Sequence, residues 1–235
     1  MQEKYLKIKI WQLVVAILLL YGGLWGQNSV YVFATTLTRP AIMEKALEAK
    51  LPGANVKVFA RYADFQALVK KDNPQVVVCP LMAKESAQIG GKIALSGVTK
   101  GATEQNLLWV SIDEEFDLGA NPKANIGLMD VGGRANMRTH LRKIAGQEAR
   151  IRLASKLEDL LPMLTFKSAD AILVTESDFD AIKSRSQAAL KSKSSGHKMN
   201  NIIVINNGSG ADKVIAAFKT FTKSEMSMLG VEQWK

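Results

Sequence analysis

The feature that most constrains the fold is a repeated alternation of strand-like and helix-like segments. Short apolar runs rich in β-branched residues alternate with segments whose apolar residues recur every three to four positions, the spacing of one helix face. The order strand–helix–strand–helix–strand occurs in residues 30–81 and again in residues 125–177. Strands separated by helices are joined by crossovers into parallel sheets. The sequence therefore predicts a two-lobed α/β fold, each lobe a mainly parallel sheet with flanking helices.

The segment boundaries follow from composition and turn residues. "QVVVCP" at 75–80 is almost entirely apolar, as expected of a parallel strand buried on both faces. Pro40 suits the first turn of a helix, and Thr38 is the candidate cap before it. The predicted strands are 29–36, 56–60, 75–80, 105–113, 125–130, 149–155, 171–174 and 201–206. The predicted helices are 39–51, 62–71, 132–146, 156–164 and 211–223.

Residues 1–27 have the pattern of an export signal. Three lysines among the first nine residues precede an apolar stretch centred on residues 13–20, and small residues follow. The apolar part, residues 10–26, is 17 residues long, at the lower edge of what spans a membrane. We expect a cleaved signal peptide, with an uncleaved membrane anchor as the alternative. In both cases the bulk of the chain is exported to the periplasm.

Few residues in the chain could support catalysis or bind a metal. The lone cysteine, Cys79, ends an apolar run, which favours a buried, unreactive thiol. The two histidines, His140 and His197, show neither the spacing of a zinc site nor a nucleophile partner. We therefore predict no enzyme, no metal and no cofactor. The basic, serine-rich segment 183–199 is predicted to be an exposed loop, with a nucleic-acid-binding tail as the disfavoured alternative.

Three segments carry a family resemblance: "ADFQALVKKDNPQVVVCP", "LEDLLPMLTFKSADAILV" and "NIGLMDVGGRANMRTHLRK". The first two combine a helix, a short polar break and a strand, and the third combines a strand, a glycine loop and a helix. Over roughly residues 29–223 the chain resembles the type 2 periplasmic solute-binding proteins, nearest to the phosphate- or phosphonate-type members. The resemblance implies two lobes joined by crossover segments, near 81–105 and 178–200, with a ligand between them. It also implies a membrane permease as partner.

The corresponding division of the chain has a first lobe, a second lobe and the basic loop. These are residues 28–104 with 200–235, residues 105–182, and residues 183–199. We expect a monomer without a nucleic-acid partner.

Candidate ligand-binding residues lie where four predicted strands end. In open α/β sheets these ends face a crevice at which helices begin, and helix N-termini attract anions. Gly132 and Gly133 would bring backbone close to a ligand, or form only a tight turn, while Arg134 would add charge. Asp130 and Glu176 would hold Arg134 or bind a ligand amine or hydroxyl. The predicted ligand-binding residues are Thr35, Thr36, Thr38, Arg39, Pro80, Asp130, Gly132, Gly133, Arg134, Thr175 and Glu176.

The residues support two functions. The first is an exported solute-binding protein that closes two lobes over a small anionic or zwitterionic solute, such as phosphate, phosphonate or a carboxylate, for an ABC-type transporter. The net charge of +9 agrees with an anionic ligand. The alternative is a membrane-anchored sensory or interaction module. It would dock an acidic partner or lipid through Arg134, Arg138 and Arg142, which share one helix face, unless that face is simply solvated.

Overall fold

The computed structural model describes residues 28–51 and 53–235, so the predicted signal or anchor, residues 1–27, lies outside the described residues. The strands are β1 (Asn28–Phe33), β2 (Ala54–Phe59), β3 (Val76–Pro80), β4 (Lys92–Val98), β5 (Glu104–Ile112), β6 (Asn125–Met129), β7 (Arg150–Ala154), β8 (Ala171–Thr175), β9 (Leu190–Asn200), β10 (Ile202–Asn206) and β11 (Gln233–Trp234). The helices are α1 (Pro40–Lys50), α2 (Tyr62–Asp72), α3 (Leu81–Ala87), α4 (Arg134–Ala145), α5 (Leu160–Thr165), α6 (Glu176–Lys183), α7 (Ala211–Phe218) and α8 (Lys223–Met228). In this part of the chain, no helix has the length and apolar character needed to span a bilayer.

The strands form two sheets, one in each lobe. The first sheet has the order β11-β4-β10-β3-β1-β2, and the second has the order β7-β6-β8-β5-β9. Parallel pairs join β1 to β2 and β3, and β6 to β7 and β8. The strands next to the lobe crossings, β4, β5, β9 and β10, add antiparallel pairs. The predicted two-lobed α/β fold is confirmed, and its parallel pairing is confined to the two strand–helix repeats.

The chain crosses between the lobes at two adjacent points. It leaves the first lobe through residues 99–103, between β4 and β5, and returns at Asn201, between β9 and β10. The Asn201 backbone N–H donates to the Thr103 carbonyl oxygen at 2.9 Å, which ties the two crossings together. Residues 81–103, which the sequence left mostly unassigned, contain α3 and β4.

The structure corrects the prediction that residues 183–199 form a loop. Most of it forms β9, an edge strand that pairs antiparallel with β5 from Leu190 to Asn200. Lysine, serine and glycine dominate this strand and give no alternating apolar pattern, because most of its side chains are exposed on both faces. Its strand conformation comes from pairing with β5, and lysines on an outer edge oppose further pairing with other chains.

One buried apolar cluster runs through both lobes. It contains Phe33 and Phe65 from the first lobe and Leu107 and Leu128 from the second. Cys79 is fully buried in this cluster, which confirms the predicted burial, and desolvation raises the pKa of its thiol. The lobes therefore make an extended apolar contact rather than meeting only at the crossings.

Candidate functional site

A cavity of about 1160 Å³ is lined by residues of both lobes. The first lobe contributes the loop after β1, residues 35–39, and a C-terminal segment, residues 229–232. The second lobe contributes the end of β8 and the start of α6, and both crossings also reach the wall. Sites for small molecules usually have roughly 300–1,000 Å³. The cavity is therefore large enough for an organic solute.

The structure brings together part of the predicted ligand-binding set. Six of its members line the cavity: Thr35, Thr36, Thr38, Arg39, Pro80 and Thr175. Five others lie outside the lining: Asp130, Gly132, Gly133, Arg134 and Glu176. The ends of β1, β3 and β8 thus face the cavity. The end of β6 contributes Leu128 and Met129, and the loop after it contributes Val131.

The glycine loop after β6 is turned toward protein rather than toward a ligand. The Asp130 carboxylate accepts hydrogen bonds from the backbone N–H groups of Gly132 at 3.3 Å and Gly133 at 2.6 Å. Gly132 is buried against Ser86 of α3, on the opposite lobe. Gly133 adopts φ +79°, a conformation that favours glycine, next to the ring of Tyr62. The amide groups expected to face a solute are therefore occupied within the loop, and the loop forms a contact between the lobes.

The two predicted acids also have other partners. Glu176 accepts a hydrogen bond from the side-chain amide of Asn106 at 2.9 Å. Arg134 is exposed, and within the described part of the chain it forms no ion pair with Asp130 or Glu176. The expected clamp of Arg134 between two acids is therefore absent from this arrangement.

The helices that begin at the cavity differ in how their first N–H groups are satisfied. At α6, the Thr175 hydroxyl accepts from the Asp178 N–H at 3.2 Å, and the Gln105 side chain accepts from the Ser177 N–H at 2.9 Å. At α1 the N-cap is Arg39 and not the predicted Thr38, and no side chain caps the helix. Pro40 has no N–H, and the Ile42 N–H donates to the Arg39 carbonyl oxygen at 3.0 Å, so the α1 start also offers few free donors. It differs from the α6 start in the positive charge of the exposed Arg39, which makes it better suited to attract an anion.

Asp178 is a cavity residue that the sequence analysis missed. It lies one turn into α6, and its carboxyl group is desolvated by the surrounding protein, which raises its pKa from 3.8 to about 6. Interactions with Thr175 oppose this rise only in part. The signal that could have identified it is the Thr-x-x-Asp spacing of a helix start. Within the described residues, no cluster of three or more histidine, cysteine or acidic side chains is placed to hold a metal ion.

The raised pKa predicts a pH-dependent effect of Asp178→Asn. Folding disfavours the ionised carboxylate, so the stabilising contribution of the neutral acid is fully present below pH 4 and is lost as pH rises through about 6. The neutral asparagine avoids this loss. We expect the variant to exceed the parent in unfolding free energy by up to about 3 kcal/mol at pH 8 and to match it at pH 4, by urea denaturation.

The control for this comparison is Asp180→Asn, at an exposed position of the same helix. It should show no such gain on raising the pH. If the unfolding free energy of Asp178→Asn differed from that of the parent by the same amount at pH 4 and pH 8, the carboxyl group of Asp178 would not be desolvated.

Comparisons with known proteins agree with this architecture at the level of the fold. No family model matches the sequence, and no curated protein matches it detectably. The binding-protein component of a phosphonate ABC transporter from Pseudomonas aeruginosa has 16% identity, covers 89% of this chain and 82% of its own, and has a TM-score of 0.61. A putative L-cystine ABC transporter protein from Listeria monocytogenes has 14% identity, coverage of 88% and 98%, and a TM-score of 0.59. The BvgS VFT2 domain from Bordetella pertussis, as a double mutant, has 13% identity, coverage of 86% and 91%, and a TM-score of 0.55. The chain therefore has the two-lobed fold of the type 2 periplasmic solute-binding proteins.

Proposed function

We propose that this protein is an exported solute-binding protein that closes two lobes over a small anionic or zwitterionic solute and presents it to the permease of an ABC-type transporter. The observation that carries the proposal is the cavity lined by both lobes, at the ends of β1, β3 and β8. A solute there contacts both lobes at once, so binding stabilises the closed arrangement. Two proteins of similar fold are named as parts of ABC transporters. Export would require that residues 1–27 act as the signal.

Arg39 and the threonines before it support the preference for an anion. The loop holds Thr35, Thr36 and Thr38 immediately before Arg39 and the uncapped start of α1. The Thr36 hydroxyl donates to the Met228 carbonyl oxygen at 3.0 Å, which fastens the loop to the segment after β10. A guanidinium group and a helix start together stabilise a carboxylate, phosphate or phosphonate.

Arg39→Ala should weaken binding of an anionic solute without affecting folding. A charge-assisted hydrogen bond contributes roughly 1.5–3 kcal/mol, so the dissociation constant should rise about tenfold to a hundredfold. Thermal-shift screening against phosphate, methylphosphonate, simple carboxylates and amino acids identifies the solute, and calorimetric titration measures the loss. Because Arg39 is exposed, the melting temperature of the free protein should stay unchanged.

Arg134→Ala is the matched control, because Arg134 is also exposed at a helix start but lies outside the cavity lining. It should bind like the parent. Stabilisation by none of these solutes would contradict the solute-binding proposal, and equal losses in both variants would contradict the role of Arg39.

The second candidate is a membrane-anchored sensory or interaction module on the same fold. It is favoured by the similarity to the BvgS domain and by the exposed row of Arg134, Arg138 and Arg142 on α4. The mass of the exported protein distinguishes the two, because an anchor retains residues 1–27. A partner captured by the parent and lost from the Arg138→Ala/Arg142→Ala variant would favour the module.

A further inference from the structure

We propose that the solute is amphipathic, with one small anionic head group on an apolar body, rather than a fully polar ion. This inference rests on the proposed solute-binding function and names the substrate class. It is carried by the chemistry of the cavity wall beyond the Thr35–Arg39 loop, by the state of the nearby amide groups and by the balance of charges around the cavity.

The wall contributed by the second lobe carries polar groups such as Gln105 and Ser177, but its sheet adds an apolar strip. Leu107, Leu128 and Leu173 lie on the three adjacent strands β5, β6 and β8, and all three line the cavity. Leu107 is opposite Thr175, and Trp109 is opposite Leu173, so Leu107 and Leu173 share one face of the sheet. These leucines are at most 5% exposed, so the apolar surface open to a ligand comes from Ile42 of α1, which is 55% exposed, and from the half-buried Met129 at the end of β6. This surface provides contact area for hydrocarbon.

One accessible methionine, Met199 of β9, extends this apolar surface, whereas Met137 of α4 also lines the cavity but is only 2% exposed. The unbranched, polarisable side chain of methionine adapts to apolar ligands of different shape. Met199 is half-buried, which leaves part of its side chain accessible to a ligand.

The backbone donors that a bare ion would require are largely occupied. At the start of α6, Gln105 accepts from the Ser177 N–H and the Thr175 hydroxyl accepts from the Asp178 N–H. An ion that leaves water without replacement donors loses several kcal/mol of solvation. A small ion held at the Arg39 end would also leave most of the 1160 Å³ unfilled by ligand. An apolar body fills this space and gains free energy by doing so.

The charges around the cavity favour a head group of low charge. Cationic and acidic side chains occur there in equal numbers, namely Arg39, Arg185 and Lys223 against Glu158, Asp178 and Glu232. A multiply charged anion would be repelled by the acidic side chains, and the cavity has no excess of positive charge to compensate. A single carboxylate, by contrast, is neutralised by Arg39 alone. We therefore assign the solute to the class of monoanionic amphipaths, with unbranched alkyl carboxylates as the simplest probes.

The experiment measures affinity along a homologous series. Acetate, butanoate, hexanoate and octanoate are titrated into the purified protein by calorimetry, beside inorganic phosphate and uncharged octanol. Each methylene group buried against the apolar wall should tighten binding about fourfold. Octanol should bind at least tenfold more weakly than octanoate, because it lacks the charge that Arg39 contacts.

Met199→Gln tests the wall, and Met163→Gln is its matched control. Met163 is a half-buried methionine of the second lobe that lies outside the cavity lining. Met199→Gln should weaken octanoate binding about threefold or more and leave acetate binding unchanged, because the amide replaces apolar contact with a polar group. Met163→Gln should bind both probes like the parent.

The outcomes separate this inference from the function on which it rests. Affinity that rises along the series and falls selectively in Met199→Gln supports the amphipathic solute. Phosphate bound more tightly than any carboxylate, or affinity independent of chain length, overturns the inference and leaves solute binding intact. Octanol bound as tightly as octanoate overturns the anionic head group. If no anion or amino acid binds, both the inference and the proposed function fail.

Discussion

Asn201→Ala is expected to lower the free energy of unfolding by about 3–4 kcal/mol, the largest stability effect that we predict for a single side chain. Asn201 is only 5% exposed. Its side-chain amide donates to the carbonyl oxygens of Gly97 at 3.1 Å and Ala102 at 2.9 Å. Its side-chain oxygen accepts from the Gln105 amide at 2.7 Å. Truncation would leave these three buried or partly buried groups without their partner.

The consequence extends beyond stability, because these bonds lie at both lobe crossings. Gly97 lies in β4 just before the outgoing crossing, and Ala102 lies within that crossing. Gln105 lies at the start of β5 in the second lobe, and Asn201 forms the return crossing. Urea denaturation of the variant should therefore show a lower midpoint. Loss of coupling between the lobes should also make the transition less cooperative, with a lower m-value.

Asn200→Ala is the control, at the neighbouring position of the chain. Asn200 is exposed, and its side chain donates to Glu104 at 3.3 Å on the surface. Its removal should change the unfolding free energy by less than about 1 kcal/mol. Equal effects of the two substitutions would contradict a stabilising role of the buried amide.

Gly132→Val is expected to weaken solute binding about tenfold to a hundredfold by holding the lobes apart. A β-carbon at position 132 would lie 2.6 Å from Ser86 Oγ and 3.3 Å from Met82 Cγ, both on α3 of the opposite lobe. The backbone at Gly132 lies outside the left-handed region, so valine meets a steric obstacle rather than backbone strain. Overpacking of this kind costs roughly 1–3 kcal/mol, and it acts on the closed arrangement in which the lobes touch.

Small-angle scattering provides the structural measurement for Gly132→Val. The radius of gyration should exceed that of the parent, and saturating solute should reduce the difference. Ala135→Val replaces a methyl by an isopropyl group at an exposed position in the first turn of α4 and is the matched control. A Gly132→Val variant with the parent's radius of gyration and affinity would show that this contact does not limit closure.

Much of the fold could be predicted from local pattern. The helix predicted at 62–71 is observed as Tyr62–Asp72, and the strand predicted at 75–80 as Val76–Pro80. The helix predicted at 211–223 instead ends at Phe218, and a separate helix begins at Lys223 with a Thr222–Glu225 capping box. An apolar stripe continued across this break and masked it, because the periodicity reports which residues are buried and not where the backbone turns.

The sequence could predict only those residues of the candidate site whose position follows directly from the end of a strand. Thr35–Arg39 follow β1, and Thr175 is the last residue of β8. Both strand ends face the cavity, which is the general placement in α/β sheets. The glycine loop also follows a strand, β6. Its Gly133 N–H nevertheless donates to the Asp130 carboxylate, and Gly132 packs against α3. The ligand-binding role of the cavity residues stays a prediction until binding is measured.

The sequence by itself determined the alternation of strands and helices, the apolar face of each and hence the two-lobed α/β architecture, because the residues that encode a local period are neighbours in the chain. Only the tertiary structure decided three further features. The lysine-rich segment pairs with β5 as β9, the Asn201 side chain is hydrogen-bonded at both crossings, and Gly132 packs against the opposite lobe. Each of these depends on a partner far away in sequence: β5, Gln105 and Ser86. A hydrogen bond or a close approach between distant segments leaves no periodic signal in either of them, so such contacts appear only when the chain is folded.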